Sequence, residues 1–333
     1  MPESTTRLES AHADVASTAT ELRKMGLHAL AAAVMYVTPL ILFVPAAFIT
    51  AGIRFGVKGL VTAIGGAALV LLALASILGG WSVSPAEVSG IARLVATVGI
   101  PAWIATLMIS RRSGIGSILV SAVLASAVGY GAVELVMRSM LSYSPYGAIQ
   151  AAFEKSGGPT IELYREMGIS GEALDAIERF STAIASTFVP SLMLIITATM
   201  FLFSVVMLSR LPWSERGAPN LLFRGFTLPE WVLFGFIVGG LSPFLDGMPR
   251  MIGLNVLAIV LFLYVVQGLA VFRGITLKLR LGALGLFVAW AMLAFLTFNG
   301  VGLFFLFLAG LFDPFFDFRN FRKKGENDEG NSD

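Results

Sequence analysis

The chain has 333 residues, of which 56% are hydrophobic and 13% charged, with a net charge of +2 and a mean hydropathy of +0.84. A soluble domain of this length cannot hide that much apolar surface, so the composition excludes a water-soluble globular protein and fits an integral membrane protein. With no cysteine and two histidines, His12 and His28, it also excludes disulfide frameworks, thiolate metal sites and cysteine nucleophiles.

Residues 1–27 are polar. The apolar run 28–51 is too long for a signal-peptide core and reads as a retained membrane segment. A helix needs about 20 apolar residues to cross the hydrocarbon core. Runs 59–80, 88–110, 114–141, 181–209, 251–272 and 280–298 meet that length. Segment 229–243 is short and needs tilt or local thinning to cross.

Arginine and lysine gather in the turns 54–58, 111–112, 210–224 and 273–280. Turn 82–87 has neither, and connection 142–180 is rich in acids. The positive-inside rule therefore places the basic turns in the cytoplasm and the other two outside. Arg23, Lys24 and Arg54 then lie on one side, so residues 28–53 read as a hairpin broken at Pro39 and Pro45. One ordinary helix with an external N-terminus is the alternative. At the far end, Asn299-Gly300 is a strong turn pair. It predicts a span to 298 and a short return over 301–313, which leaves Arg319, Arg322, Lys323 and Lys324 inside.

Connection 142–180 predicts one to three short helices over the external mouth. Pro159 suits a first helical position and Ser170 an N-cap. Leu163, Met167, Leu174, Ile177 and Phe180 are expected to rest on the bundle or the interface. The tail from Lys323 reads as disordered.

Polar groups inside a membrane are costly and are the natural candidates for function. Glu134 and Arg138 sit four apart and pair. Asp246 and Arg250 repeat that spacing in a Pro- and Gly-rich break. Asn255, Gln267 and Asn299 suit the lining of a solute cavity, and Asn255 and Gln267 equally suit bonding between helices. Arg93 suits either an anionic solute or snorkelling. Ser117, Ser121, Ala125 and Gly129 form a smooth ridge for close helix contact, and Ala29 and Ala33 a smaller one. Asp313, Asp317 and Arg319, where an apolar segment meets the cytoplasm, suit anchoring or the docking of a partner. No hydrolase, P-loop or dinucleotide motif is present, so neither an enzyme nor a cofactor is expected, and nothing points to nucleic acid.

Several strings, taken in order, resemble the YybS-like family of bacterial membrane proteins of unknown function. They are Leu22-Arg-Lys, Ala29-Leu-Ala-Ala-Ala, Phe43-Val-Pro-Ala-Ala-Phe, Arg54-Phe-Gly-Val-Lys58, Gly168-Ile-Ser-Gly-Glu, Pro190, Pro229-Glu-Trp231, Asn255, Gln267-Gly-Leu-Ala-Val271 and Gly310-Leu-Phe-Asp313 with Asp317-Phe-Arg319. That family is similar in its first half to the substrate-binding components of energy-coupling-factor vitamin transporters. In those, small residues spaced like Ala29 and Ala33 meet a transmembrane coupling subunit. The resemblance implies solute capture with a membrane partner. The chain is longer than a typical component of that kind, and no vitamin pocket is matched residue by residue.

The expected architecture is an all-α polytopic transmembrane helix bundle of about eight crossings, with broken or re-entrant first and last segments. The expected organisation is a polar segment 1–27, a bundle 28–313 carrying the insert 142–180, and a cytoplasmic tail 314–333. The expected setting is the lipid bilayer of the bacterial inner membrane, with a cytoplasmic C-terminus. The expected function is small-solute binding, with a scaffold or assembly factor docking cytoplasmic partners as the alternative.

Overall fold

A computed structural model describes residues 3–169, 171–210, 222–279, 281–316 and 318. These are mostly helical, with no strand among them. In chain order the helices are α1 (Glu3–Tyr36), α2 (Val44–Leu78), α3 (Pro85–Arg93), α4 (Ile100–Ser110), α5 (Ile115–Leu141), α6 (Pro145–Glu166), α7 (Glu172–Ala183), α8 (Val189–Leu208), α9 (Val232–Leu241), α10 (Gly247–Lys278), α11 (Ala283–Phe298) and α12 (Val301–Phe316). The all-α polytopic expectation holds. Among the described residues five helical stretches are long and apolar enough to cross a membrane, and six if the pair α11–α12, bent by 107° at its break, counts as one span. That is fewer than about eight crossings, because α9 and the first part of α2 fall short of the roughly 30 Å of hydrocarbon.

The helices form two compact units. The first comprises residues 1–113, 121–145 and 197–219, the second 114–120, 146–196 and 220–333. Helices α5 and α8 contribute to both.

In the first unit α1 packs on α2, and α2 on α3 and α4. Residues 28–53 are not one helix. α1 stops at Tyr36, and a 3-10 turn over Pro39–Phe43 follows, capped by the Thr38 side chain. Pro39 and Pro45 open the two following elements, where a missing N–H is harmless. α2 breaks again at Gly56, whose φ of 67° and ψ of −158° suit only glycine. The 22 residues beyond it are of span length, and the 12 before it are not. Pro85 starts α3 behind a capping box: Ser84 Oγ accepts from Glu87 N, and Glu87 Oε2 accepts from Ser84 N. The core holds Phe48, Ile49, Leu60, Leu94 and Phe201, each 2% exposed or less.

In the second unit α10 packs against α9 and α12, and α12 against α11. Insert 142–180 holds two helices, within the expected one to three, but the first of them is not short. α6 runs unbroken for 22 residues with Pro159 inside it rather than at its start. This stretch is exposed, so the carbonyl that Pro159 deprives of a donor is open to water. Ser170 lies outside the described residues, and Gly171 holds the cap position of α7. α7 continues through a π turn, Ile184–Phe188, into α8. Of the five apolar residues expected to find cover, Leu174 is buried and Ile177 half-buried, while Leu163, Met167 and Phe180 are exposed.

Candidate functional site

The polar heart of the second unit is on α10. Asn255 is 8% exposed and Gln267 is fully buried. In a regular helix the N–H of Ser191 donates to the carbonyl of Thr187, four residues back. Here the Asn255 carboxamide stands between them. Its Oδ1 accepts from Ser191 N at 2.9 Å, and its Nδ2 donates to Thr187 O at 2.7 Å and to Met251 O at 2.8 Å. The side chain replaces one rung of the ladder where the π turn and Pro190 open it.

Gln267 does related work on α12. Pro314 has no N–H, so the Gly310 carbonyl loses its helical donor. Gln267 Nε2 supplies one at 2.9 Å, and its Oε1 accepts from Leu228 N at 2.8 Å. The approach is close because both helices present glycine. A Cβ on Gly268 would lie 1.9 Å from Leu306 O, and one on Gly310 2.0 Å from Tyr264 O. The segment that carries Leu228 is itself tightly held: a Cβ on Gly116 would lie 1.8 Å from Thr227 O.

The first unit repeats the device. Pro101 deprives Thr97 O of its donor, and Ser126 Oγ donates to that oxygen at 2.8 Å. Gly129 permits the approach, with a would-be Cβ 2.4 Å from Ala96 O. Three interior prolines thus each lie beside a buried polar side chain from another helix. Ser126, Thr97, Thr187 and Ser191 did not stand out in the sequence, and Gly310 did so only within a longer string. For Thr97 and Gly310 the signal was there, since each lies four residues before an interior proline (Pro101, Pro314) and so has the carbonyl that needs a donor.

The remaining predicted residues are dispersed. Asn299 is exposed and donates to Phe295 O at the end of α11. Asp313 is buried in its own unit at 6% exposure. Asp317 and Arg319 lie outside the described residues. Ala29 and Ala33 are buried, Ala29 so close to Gly66 that a Cβ there would lie 2.7 Å away. Glu134 and Arg138 pair as the spacing implies, with Ser144 Oγ donating to Glu134 Oε1 at 2.6 Å. Asp246 and Arg250 are exposed and do not pair. The buried small line on α5 is Ala122, Ser126 and Gly129, one residue on from the predicted ridge at its first two positions. The α-helical turn of 100° per residue, not a strict step of four, sets that face.

Arg93 is half-buried at the end of α3, where the helix widens into a π turn over Leu94–Gly99. Its Nε donates to Ser89 O at a long 3.4 Å, and Thr97 Oγ1 donates to its carbonyl at 2.9 Å. Tyr36 of α1 and Tyr130 of α5 are half-buried too. The Tyr36 hydroxyl donates to Gly90 O at 3.0 Å, and the Tyr130 hydroxyl shares a hydrogen bond with Thr197 at 3.2 Å. The Arg93 charge and Tyr130 both lie within electrostatic reach of the Tyr36 hydroxyl.

No curated protein and no solved structure matches the chain. A family does match, over residues 27–314. That range runs from α1 to Pro314, and so takes in both amide locks, the Ser126 bond and Arg93. The chain belongs to the DUF2232 family of predicted membrane proteins.

Proposed function

We propose that this protein is a non-enzymatic scaffold or assembly factor of the bacterial inner membrane, and that its basic cytoplasmic end docks soluble partners. One observation carries this reading. Asn255 and Gln267, the amides best suited to line a solute cavity, have both ends of their carboxamides bonded to backbone groups of neighbouring elements. A transporter keeps such groups for its solute, whereas a scaffold uses them to fix helices. The docking element is then the tail beyond α12, where Arg319, Arg322, Lys323 and Lys324 cluster, rather than buried Asp313.

Solute capture in the manner of the YybS-like and transporter-component resemblance is the second reading. It draws support from Arg93, which the amide bonding leaves untouched.

Native mass spectrometry of the gently extracted full chain, beside a variant lacking residues 319–333, tests the first reading. The expected result is a partner subunit on the full chain, lost with the tail, and no stoichiometric metabolite. A tightly bound metabolite, with partners indifferent to the tail, overturns it.

A further inference from the structure

A cationic side chain in a membrane helix has two common uses. It snorkels to the interface, or it meets an anion. Arg93 has the surroundings of the second. Among the described residues the ion pairs are Glu134–Arg138 and Glu162–Arg165, so no carboxylate neutralises it. The one hydrogen bond of its side chain among the described residues is the long Nε contact with Ser89. The terminal N–H groups of the guanidinium, a planar fork matched to carboxylate and phosphate, engage no protein acceptor there. Four helices of the first unit bring hydroxyls or charge to this place: α1 with Tyr36, α3 with Arg93, α5 with Tyr130 and α8 with Thr197. In the Tyr130–Thr197 bond either oxygen can be the donor. With Thr197 donating, the phenol proton is available to a ligand. The π turn directly after Arg93 is the kind of helix distortion that recurs at functional sites.

We propose that Arg93 and Tyr130 bind an anionic oxygen group, a carboxylate or phosphate, carried by a small solute or by a lipid headgroup. The site is independent of the docking reading, since it uses none of the tail. Arg93 supplies charge and a bidentate fork, and Tyr130 supplies a hydroxyl donor.

Thermal melting of the full chain in neutral detergent, followed by tryptophan fluorescence, tests this. Sodium phosphate and sodium succinate, each compared with sodium chloride at equal ionic strength, probe free anions. Mixed micelles with phosphatidylglycerol, compared with phosphatidylcholine, probe the headgroup. At least one anionic probe is expected to raise the wild-type Tm by several degrees. The rise should vanish in Arg93→Gln and persist in part in Arg93→Lys, which keeps the charge without the fork. A rise with phosphate or succinate identifies a solute site, and a rise with phosphatidylglycerol alone a headgroup site. If no probe shifts wild type, or the shift survives in Arg93→Gln, the arginine only snorkels and the proposal fails. Should Arg93→Gln not fold, Tyr130→Phe takes its place. It leaves the charge intact and is expected to shrink the rise, and an undiminished rise overturns the site.

Discussion

A buried carboxamide is the one neutral side chain that offers a donor and an acceptor with the geometry of a peptide group. Asn255 and Gln267 are placed where the backbone lacks such a group. The sequence showed that they sit deep in an apolar run, and that buried amides need partners. It did not show which partners, because those come from segments 64 to 68 and 39 to 43 residues away. The Pro314–Gly310–Gln267 relation makes the argument testable at one atom. Gln267→Leu leaves Gly310 O and Leu228 N buried without their bonds, at about 1–3 kcal/mol for each group. In a Pro314→Ala background the new N–H donates to Gly310 O along the helix, so the same Gln267→Leu change should cost roughly half as much. Thermal melts of wild type, both single variants and the double variant measure the coupling. Equal costs in the two backgrounds would show that Gln267 does not serve the carbonyl that Pro314 exposes.

Long apolar helices are legible because hydropathy over some 20 residues decides them. The predicted run 114–141 matches α5 to within one residue, and run 251–272 falls inside α10. Breaks are legible where proline or glycine marks them, as at Pro39, Asn299-Gly300 and, in hindsight, Gly56. The π turns are not legible. Leu94–Gly99 and Ile184–Phe188 look like ordinary helix in sequence, and only packing against Ser126 or Asn255 makes the wider turn worthwhile. In insert 142–180 the helices are legible but the length of α6 is not, because Pro159 reads as a helix start and instead lies inside an exposed helix. Contact distances are the other hidden quantity, and glycine registers them. The structure separates glycines that are required from those that are tolerated. Gly268→Ala puts a methyl 1.9 Å from a backbone oxygen of α12, which cannot rotate away, so α10 and α12 must part. Gly65 lies inside α2, exposed, with nothing within 4 Å of a new Cβ. There alanine gains about 0.5–1 kcal/mol of helix stability. Melting curves should show Gly268→Ala well below wild type and Gly65→Ala at or above it.

Charge alternation sets a problem for the whole chain. Turns 210–224 and 273–280 are both basic, so the positive-inside rule expects both on one side, the cytoplasmic one. α10 carries the chain across once, so another crossing is needed between Arg224 and Gly247. The helical stretch Val232–Phe244 has 13 residues, about 20 Å at 1.5 Å each, which falls short of the hydrocarbon core. The residues just before it, 226–229, are non-helical, with Phe226 extended and fully buried and Leu228 8% exposed. At no more than about 3.3 Å per residue they add at most roughly 13 Å. Non-helical backbone survives at that depth only when protein satisfies it, and Gln267 does so at Leu228 N. The short segment can therefore cross as half helix and half supported strand-like chain. The native chain has no cysteine, so single-cysteine variants report sidedness cleanly. In intact cells a membrane-impermeant maleimide should label Ser82→Cys, Ser156→Cys and Asp246→Cys. Ser113→Cys and Gly282→Cys should react only after permeabilisation. Asp246 decides the matter, because its side chain makes no cap bond that the change would break. If it labels with the inner pair, segment 226–244 turns back without crossing, and the support that Gln267 gives to Leu228 serves packing rather than passage through the bilayer.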